Sequence, residues 1–149
     1  MVVRRATLAD LPTLLEFEQG VIGAERPFDP TLQPDPIRYY DFDKLLGSPH
    51  IEVVVAVAED AIIGSGYARI DAAEPFLMHR SHAYLGFIYV TPSHRGRGVS
   101  RLLIDALATW ATQHGVTELR LEVYAENQRA IRAYEHAGFA AHILTMRRG

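Results

Sequence analysis

Between a β-forming run that ends at Val90 and a leucine-rich segment that begins near Leu102 lies the stretch Arg95-Gly96-Arg97-Gly98-Val99-Ser100-Arg101. Its position and composition suit an anion. The two glycines let the backbone come close to a ligand, and if a helix opens at Gly98 its first N–H groups have no internal partner and point at whatever sits there. Pyrophosphate fits that description. Arg95, Arg97 and Arg101 add positive charge where a phosphorylated nucleotide needs it. Glycine also serves ordinary tight turns, so the stretch takes its meaning from the strand before it and the helix after it. It is not a dinucleotide fingerprint, which requires a third glycine and an acidic residue about 20 positions on. Nor is it a phosphate loop, because the chain's single lysine is Lys44.

Several elements must position this turn. Arg4 to Ala6 reads as an edge strand, and Thr7 or Asp10 can cap a helix whose apolar residues Leu11, Leu14, Leu15 and Phe17 recur at helical spacing, with a stop expected near Gly20 or Gly23. Residues 26–36 contain Pro27, Pro30, Pro34 and Pro36, which predicts an irregular loop. A short helix is expected from Tyr39 to Leu46, closed by Gly47. Ile51 to Ala58 and Ala61 to Ile70 read as two strands of a hairpin turning at Glu59-Asp60, and Ala83 to Val90 as a strand covered on both faces. Val99, Leu102, Leu103, Ala106, Leu107 and Trp110 mark an amphipathic helix from about Gly98 to a stop at Gly115. Glu118 to Tyr124 is expected as a strand, Asn127 to Ala137 as a helix closed by Gly138, and Phe139 to Met146 as a final strand. That order predicts a mixed sheet flanked by helices.

The pattern Arg95-x-x-Gly98-x-Ser100, with Val90-x-Pro92 before it and Leu102-Leu103 after it, resembles the acetyl-CoA signature of the GNAT family of N-acetyltransferases. Leu121-Glu122-Val123, Asn127, Ala130-Ile131, Tyr134-Glu135 and Gly138-Phe139 resemble the second half of that signature, at matching spacings. Serine stands at 100, where the family usually has Gly or Ala. The resemblance implies an α/β (α+β) fold with a mixed, mostly antiparallel sheet splayed at its centre between the strands ending near Val90 and Tyr124. It also implies acetyl-CoA as cosubstrate. The pantetheine arm would pair with Ile88, Tyr89 and Val90 as if it were a strand, and the diphosphate would lie on Arg95, Gly96, Arg97, Gly98, Val99, Ser100 and Arg101. Asn127, Ala130 and Tyr134 complete the cofactor site that the resemblance implies.

Direct acyl transfer to an amine needs a proton donor for the departing thiolate and an acceptor for the proton on the amine. Tyr134 matches the family's general acid. Many relatives carry a carboxylate on the strand before the phosphate turn, yet Ala83-Tyr84-Leu85-Gly86-Phe87-Ile88 has none. Glu122, 12 residues before Tyr134, matches the catalytic glutamate of the ribosomal-protein alanine acetyltransferases. A water chain, His82 and His94 are the alternatives. The histidines show no metal-ligand spacing, so no metal is expected.

The acceptor is expected over the first two helices and the proline-rich loop, with Glu25, Asp29, Tyr39 and Tyr84 as its candidate contacts, and Asp35, Asp41, Asp43 and Tyr40 nearby. Residues 1–60 carry 11 acids against 5 bases and residues 61–149 carry 7 against 10, which suits a protein that grips an anion with one half and receives a cation with the other. The opening Arg5-Ala6-Thr7-x-x-Asp10-Leu11 also resembles phosphinothricin-type acetyltransferases. A small-molecule amine and a peptide N-terminus both fit. The other readings are a non-catalytic acyl-CoA sensor of the same fold and a domain that binds another phosphate compound. With 149 residues, 48% hydrophobic and 22% charged, the chain is expected to form one domain over 1–149. It has no cysteine, no basic stripe for nucleic acid, no export signal and no membrane span, so a cytoplasmic protein is expected. A homodimer is common among such relatives.

Overall fold

The computed structural model describes residues 1–149. Strands β1 (Val2–Arg5), β2 (Ile51–Ala58), β3 (Ala61–Ala72), β4 (Ser81–Val90) and β5 (Leu119–Leu121) form one sheet in sequential order. Every neighbouring pair is antiparallel except β4 and β5, which run parallel. Helix α1 (Leu11–Glu25) and the short α2 (Phe42–Gly47) cover one face, α3 (Val99–Gln113) covers the other, and α4 (Gln128–His136) follows β5. No helix is long and apolar enough to cross a membrane.

The sheet is buried on both sides because its strands are apolar at successive positions. On β2, Val54 and Ala56 face α3, whereas Val53 and Val55 face α1 and α2, as the two-residue alternation of a strand requires. Val99, Leu103, Ile104, Leu107 and Ala111 form the buried stripe of α3. Removing each of its leucines from water is worth roughly 1.5–3 kcal/mol, enough to fix the helix that carries the glycine turn at its N-terminus.

β4 is not a regular strand. Ser65 pairs with Tyr89 and Tyr67 with Gly86, so Phe87 and Ile88 together oppose Gly66, and Phe87 takes a left-handed φ of 57°. A Cβ on Gly66 would stand 2.8 Å from Ile88 Cδ1 and 3.3 Å from Leu107 Cδ1, so a side chain there would have to displace both of those side-chain ends. The buried Ser65 hydroxyl donates to the Phe87 carbonyl at 3.1 Å. Pairing between β4 and β5 runs from Ala83/Leu119 to Leu85/Leu121 and ends there, so Gly86 to Val90 has no neighbour on that side. The sheet is thus split at its centre.

Several boundaries differ from those read along the sequence. The first strand is Val2–Arg5, and α1 continues past Gly20 and Gly23 to Glu25. Gly20 is not a stop: a Cβ there would meet the Tyr89 ring at 2.7 Å, so the glycine makes room for a neighbour. α2 begins at Phe42 rather than Tyr39, because the Tyr39 and Tyr40 amides donate to Glu18 and the Asp41 side chain caps the helix at the Lys44 amide. β3 extends to Ala72, β5 shrinks to three residues, and α4 spans Gln128–His136 with Asn127 as its cap. The hairpin at Glu59-Asp60 is as expected, with φ of 52° and 63° in a two-residue loop.

The expected strand over Phe139–Met146 is absent. The Phe139 amide still bonds the Tyr134 carbonyl at 3.0 Å, but the residues beyond form no regular element, and Ile143, Leu144 and Met146 are exposed. A β-prone sequence becomes a strand only against a partner, and the three-residue β5 is not joined by it.

Glu18 is fully buried and ties the loop to α1. Its carboxylate accepts from Arg38 Nε at 2.6 Å, the Tyr39 amide at 3.0 Å and the Tyr40 amide at 2.8 Å. Glu18→Ala leaves those amides without their acceptor and is expected to cost about 3 kcal/mol, read as a lower urea midpoint at unchanged slope.

Candidate active site

From Val90 the chain passes through a 3₁₀ turn at Pro92–His94 and two left-handed glycines, Gly96 at φ 76° and Gly98 at φ 79°, into α3. Both glycines face open space, with no atom within 4 Å of where a Cβ would stand. The first in-helix acceptor bond is Leu102 N–H to the Gly98 carbonyl, so the amides of Val99, Ser100 and Arg101 lie in the unpartnered first turn. An oxyanion would meet those amides and the positive end of the helix dipole there.

The three arginines of the turn are not equivalent. Arg95 is anchored by Nε donating to the Val90 carbonyl at 3.1 Å and lies over the Tyr89 ring at 5.8 Å. Arg101 is held by Asp105 at 3.2 Å and donates to the His136 carbonyl at 2.7 Å, stapling the start of α3 to the end of α4. Arg97 is exposed and forms no ion pair. It is the arginine free to swing onto a phosphate.

Above the turn, the sheet split bares one edge of β4. The Thr91 amide bonds Ile63 on β3, and by the alternation of a strand Tyr89 also turns its backbone toward β3. Val90 turns the other way, as its carbonyl bond to Arg95 requires. Of the three residues expected to pair with a pantetheine arm, Val90 and Ile88 therefore present backbone groups to the split, while Tyr89 contributes its ring, packed against Phe17 at 4.8 Å.

Tyr134 lies on α4, whose start is held by Asn127 Oδ1 accepting from the Ala130 amide at 3.2 Å. Its ring packs against the core beneath α3 and against Phe139 at 6.2 Å. Burial first, and then the charge of Glu25, push its phenol up to about 12, so it remains protonated at neutral pH. Glu122 is exposed, just beyond β5, and its Oε1 accepts from the Tyr84 hydroxyl at 2.9 Å. Burial and then this bond raise the Tyr84 phenol. Arg69, doubly bonded to Asp71 at 2.8 and 3.0 Å, lies over the same ring at 4.8 Å. Glu122 and Tyr84, expected in different roles, thus form one contact.

The other expected contacts gather at the end of α1. Asp29 accepts from the Tyr124 hydroxyl at 2.6 Å and from the Thr31 amide and hydroxyl. Those bonds, Thr31 foremost, hold its carboxyl down at about 2. Glu25 goes the opposite way: burial raises it, and Asp29 adds to the rise, against a contribution from Tyr39 that lowers it. Burial and then Glu25 push Tyr39 up to about 12. Tyr40, Tyr67 and Tyr84 continue the wall, with successive ring centroids from Tyr39 at 5.8, 6.0 and 6.5 Å. Tyr67, Tyr124 and the anchoring Glu18 were not singled out from the sequence. Six of the chain's seven tyrosines belong to this wall or face it, a convergence that spacing along the chain does not reveal.

The sequence pattern of the Acetyltransferase (GNAT) family matches residues 19–139. The chain is 30% identical over 107 residues to an aminoglycoside N(6′)-acetyltransferase type 1 of Salmonella typhimurium, covering 71% of this chain and 74% of that protein. It is likewise 30% identical over 134 residues to the N-alpha-acetyltransferase RimI of Mycobacterium tuberculosis, covering 89% and 74%. Its fold superposes on the tetramutant of the BH1408 protein of Bacillus halodurans with a TM-score of 0.89 at 23% identity, over 100% of this chain and 99% of that one.

A side chain at Gly98 would be forced into a left-handed conformation, at a cost of roughly 1–2 kcal/mol, and would project into the open turn. Gly98→Glu is expected to weaken coenzyme A binding more than a hundredfold in calorimetry while far-ultraviolet circular dichroism stays that of the parent.

Proposed function

The chain belongs to the GNAT acetyltransferase family, and from that premise we propose that it moves an acetyl group from acetyl-CoA straight to a cationic amine within a ternary complex. As a member it is an acetyl-CoA-dependent N-acetyltransferase of amines. The finer reading concerns the roles of its residues. Acetyl-CoA supplies the activated acyl group as a thioester. The amides that open α3, with Arg97 and Arg95, hold the diphosphate; the free edge at Ile88 and Val90 holds the pantetheine amides; and one outward amide of that edge polarises the thioester carbonyl.

The chemistry then needs only the protein's own proton donors and acceptors. As the amine nitrogen bonds to the carbonyl carbon, the C–S bond breaks and the Tyr134 phenol gives its proton to the sulfur. A phenol pushed up to about 12 keeps its proton at neutral pH; handing it to a thiolate, whose thiol ionises at about 8.5, is uphill and is completed when the phenolate takes back the surplus proton of the acylated nitrogen. The observation that carries this reading is the split of β4 from β5 after Leu85, running down to an open glycine turn at a helix N-terminus. The acidic, tyrosine-lined wall at Glu25, Asp29 and Tyr39 supports a cationic acceptor. Acceptors of the kinds named for the relatives, an aminoglycoside amine and a protein α-amine, are both cations and both fit that charge.

Because the protein has no cysteine, thiol released from acetyl-CoA is read against no protein background. Tyr134→Phe is expected to lower kcat by about 10²-fold with coenzyme A affinity within twofold of the parent. Tight binding with no thiol release from the parent under any amine would instead favour a non-catalytic acyl-CoA sensor.

A further inference from the structure

We propose that Tyr84 is a positioning residue for the transfer: its hydroxyl pins one oxygen of Glu122 where the sheet opens, leaving the other oxygen to take the proton of the incoming ammonium. This rests on the acyl-transfer reading above and on the role that the sequence resemblance implies for Glu122, and it adds the residue that aims the carboxylate.

Glu122 directly follows Leu121, the last residue of β5 that pairs with β4, so it stands where the split begins. Leu119 and Leu121 pack with Ala83 and Leu85 in the cluster under α3, which turns Arg120 and Glu122 to the opposite face, that of α1 and α2. Tyr84 packs on that same face, and its hydroxyl donates to Glu122 Oε1 at 2.9 Å. Tyr134 packs against the cluster on the α3 side. The proton donor and the proton acceptor thus belong to opposite faces of the split sheet.

The Tyr84 ring is itself held in place. Arg69, its register partner on β3, lays its guanidinium over the ring at 4.8 Å, and two bonds to Asp71 at 2.8 and 3.0 Å fix that guanidinium. The Tyr67 ring lies 6.5 Å from it and crosses β4 at Gly86, where a Cβ would meet the Tyr67 ring at 2.6 Å. Tyr40 backs Tyr67 in turn, with centroids 6.0 Å apart. A tyrosine has only two side-chain torsions, so fixing the ring fixes its hydroxyl. Burial, and then the bond to Glu122, raise this phenol, so it remains a donor at neutral pH.

Glu122 has no comparable anchor of its own. It is exposed, and no arginine or lysine nitrogen lies within 4.0 Å of its carboxylate. Arg120, on the same face, is engaged by Glu118 at 3.3 Å. A solvated glutamate turns about three torsions and samples many orientations, and a bond to a ring that cannot move narrows that range. A carboxylate accepts up to about four hydrogen bonds, so one bond at Oε1 leaves Oε2 open to an ammonium.

The proton balance closes. Glu122 Oε2 takes one proton from the ammonium, leaving a neutral amine whose nitrogen bonds to the carbonyl carbon as the C–S bond breaks. Tyr134 gives its proton to the sulfur, and the phenolate takes back the surplus proton of the acylated nitrogen. Products are the amide, the free thiol and one proton, which Glu122 passes to water. Tyr84 keeps its own proton throughout.

The test is a double-mutant cycle on the whole protein. Thiol release is measured at saturating acetyl-CoA with kanamycin, lysine and an alanine-terminated peptide as acceptors, and coenzyme A affinity by calorimetry. Tyr84→Phe removes the hydroxyl alone and leaves the ring against Arg69 and Tyr67. It is expected to lower kcat about tenfold with acceptor KM within about twofold of the parent. Glu122→Gln is expected to lower kcat by about 10²-fold. In the Glu122→Gln background, Tyr84→Phe should change kcat by less than about twofold, because no base is left to aim. Coenzyme A affinity should stay within about twofold in all three variants. Parent kcat in Tyr84→Phe overturns the assignment, and a raised kcat overturns it by showing that the bond holds the carboxylate back. Effects that multiply in the double variant mean that Tyr84 acts other than through Glu122. A rise of acceptor KM with kcat intact makes Tyr84 an acceptor contact, and lost coenzyme A affinity makes it a structural residue; each of these outcomes overturns the assignment. Glu122→Gln at the parent rate removes the base that Tyr84 would aim and overturns it as well. A wild type that binds coenzyme A yet transfers nothing to any acceptor sinks the acyl-transfer reading itself, whereas failure of Tyr84 alone leaves that reading standing.

Discussion

A single extra residue in β4, inserted opposite Gly66, marks where the sheet opens. Phe87 accepts a left-handed φ of 57° that costs roughly 1–2 kcal/mol for a residue with a Cβ. Its surroundings offset that cost: Ser65 bonds its carbonyl, and the rings of Tyr40 and Phe42 lie 4.8 and 5.6 Å from its own. Beyond the bulge β4 no longer runs beside β5. The strand keeps its partner on the β3 side and loses it on the other, leaving backbone groups that an elongated amide-bearing ligand can satisfy. The same change of course brings the end of β4 to the glycine turn.

The acidic side of the site depends on a second buried interaction, one that sequence spacing does not announce. Glu18 lies within α1 and holds two backbone amides of the loop that follows some 20 residues later. A buried carboxylate is costly to desolvate unless its oxygens are filled, and here they are filled by the chain it positions. Tyr39 and Tyr40 are thereby fixed beside Glu25. The result is a pair of carboxylates, Glu25 and Asp29, driven in opposite directions: burial raises the first, and three donated hydrogen bonds hold the second at about 2.

The two halves of the chain carry opposite net charge to opposite sides of the sheet split. The excess of acids in residues 1–60 becomes the mouth formed by α1 and the loop after it, and the excess of bases in the remainder becomes the arginine-rich start of α3. Arg101 also ties the fold together, since its guanidinium joins α3 to the end of α4, two residues beyond Tyr134. One arginine of the turn is then structural, one is anchored beside Tyr89, and one is free.

What the sequence by itself determined was local. Gly96 and Gly98 before a leucine stripe, Glu59-Asp60 between two β-branched runs and Asn127 ahead of a short helix each state their conformation in a few neighbouring residues, because turns, caps and helix faces are built from contacts within about one or two turns of chain. Family membership was legible for the same reason, resting on two such blocks. Tertiary structure decided the rest. Gly20 looked like a helix stop until the Tyr89 ring was found against it, and Phe139–Met146 looked like a strand although no neighbour pairs with it. Glu122 stands at a catalytic spacing from Tyr134, and folding adds a hydrogen bond from Tyr84, 38 residues earlier in the chain. Burial, pairing and the field at a carboxylate are set by groups remote in sequence, and only folding brings them within reach of one another.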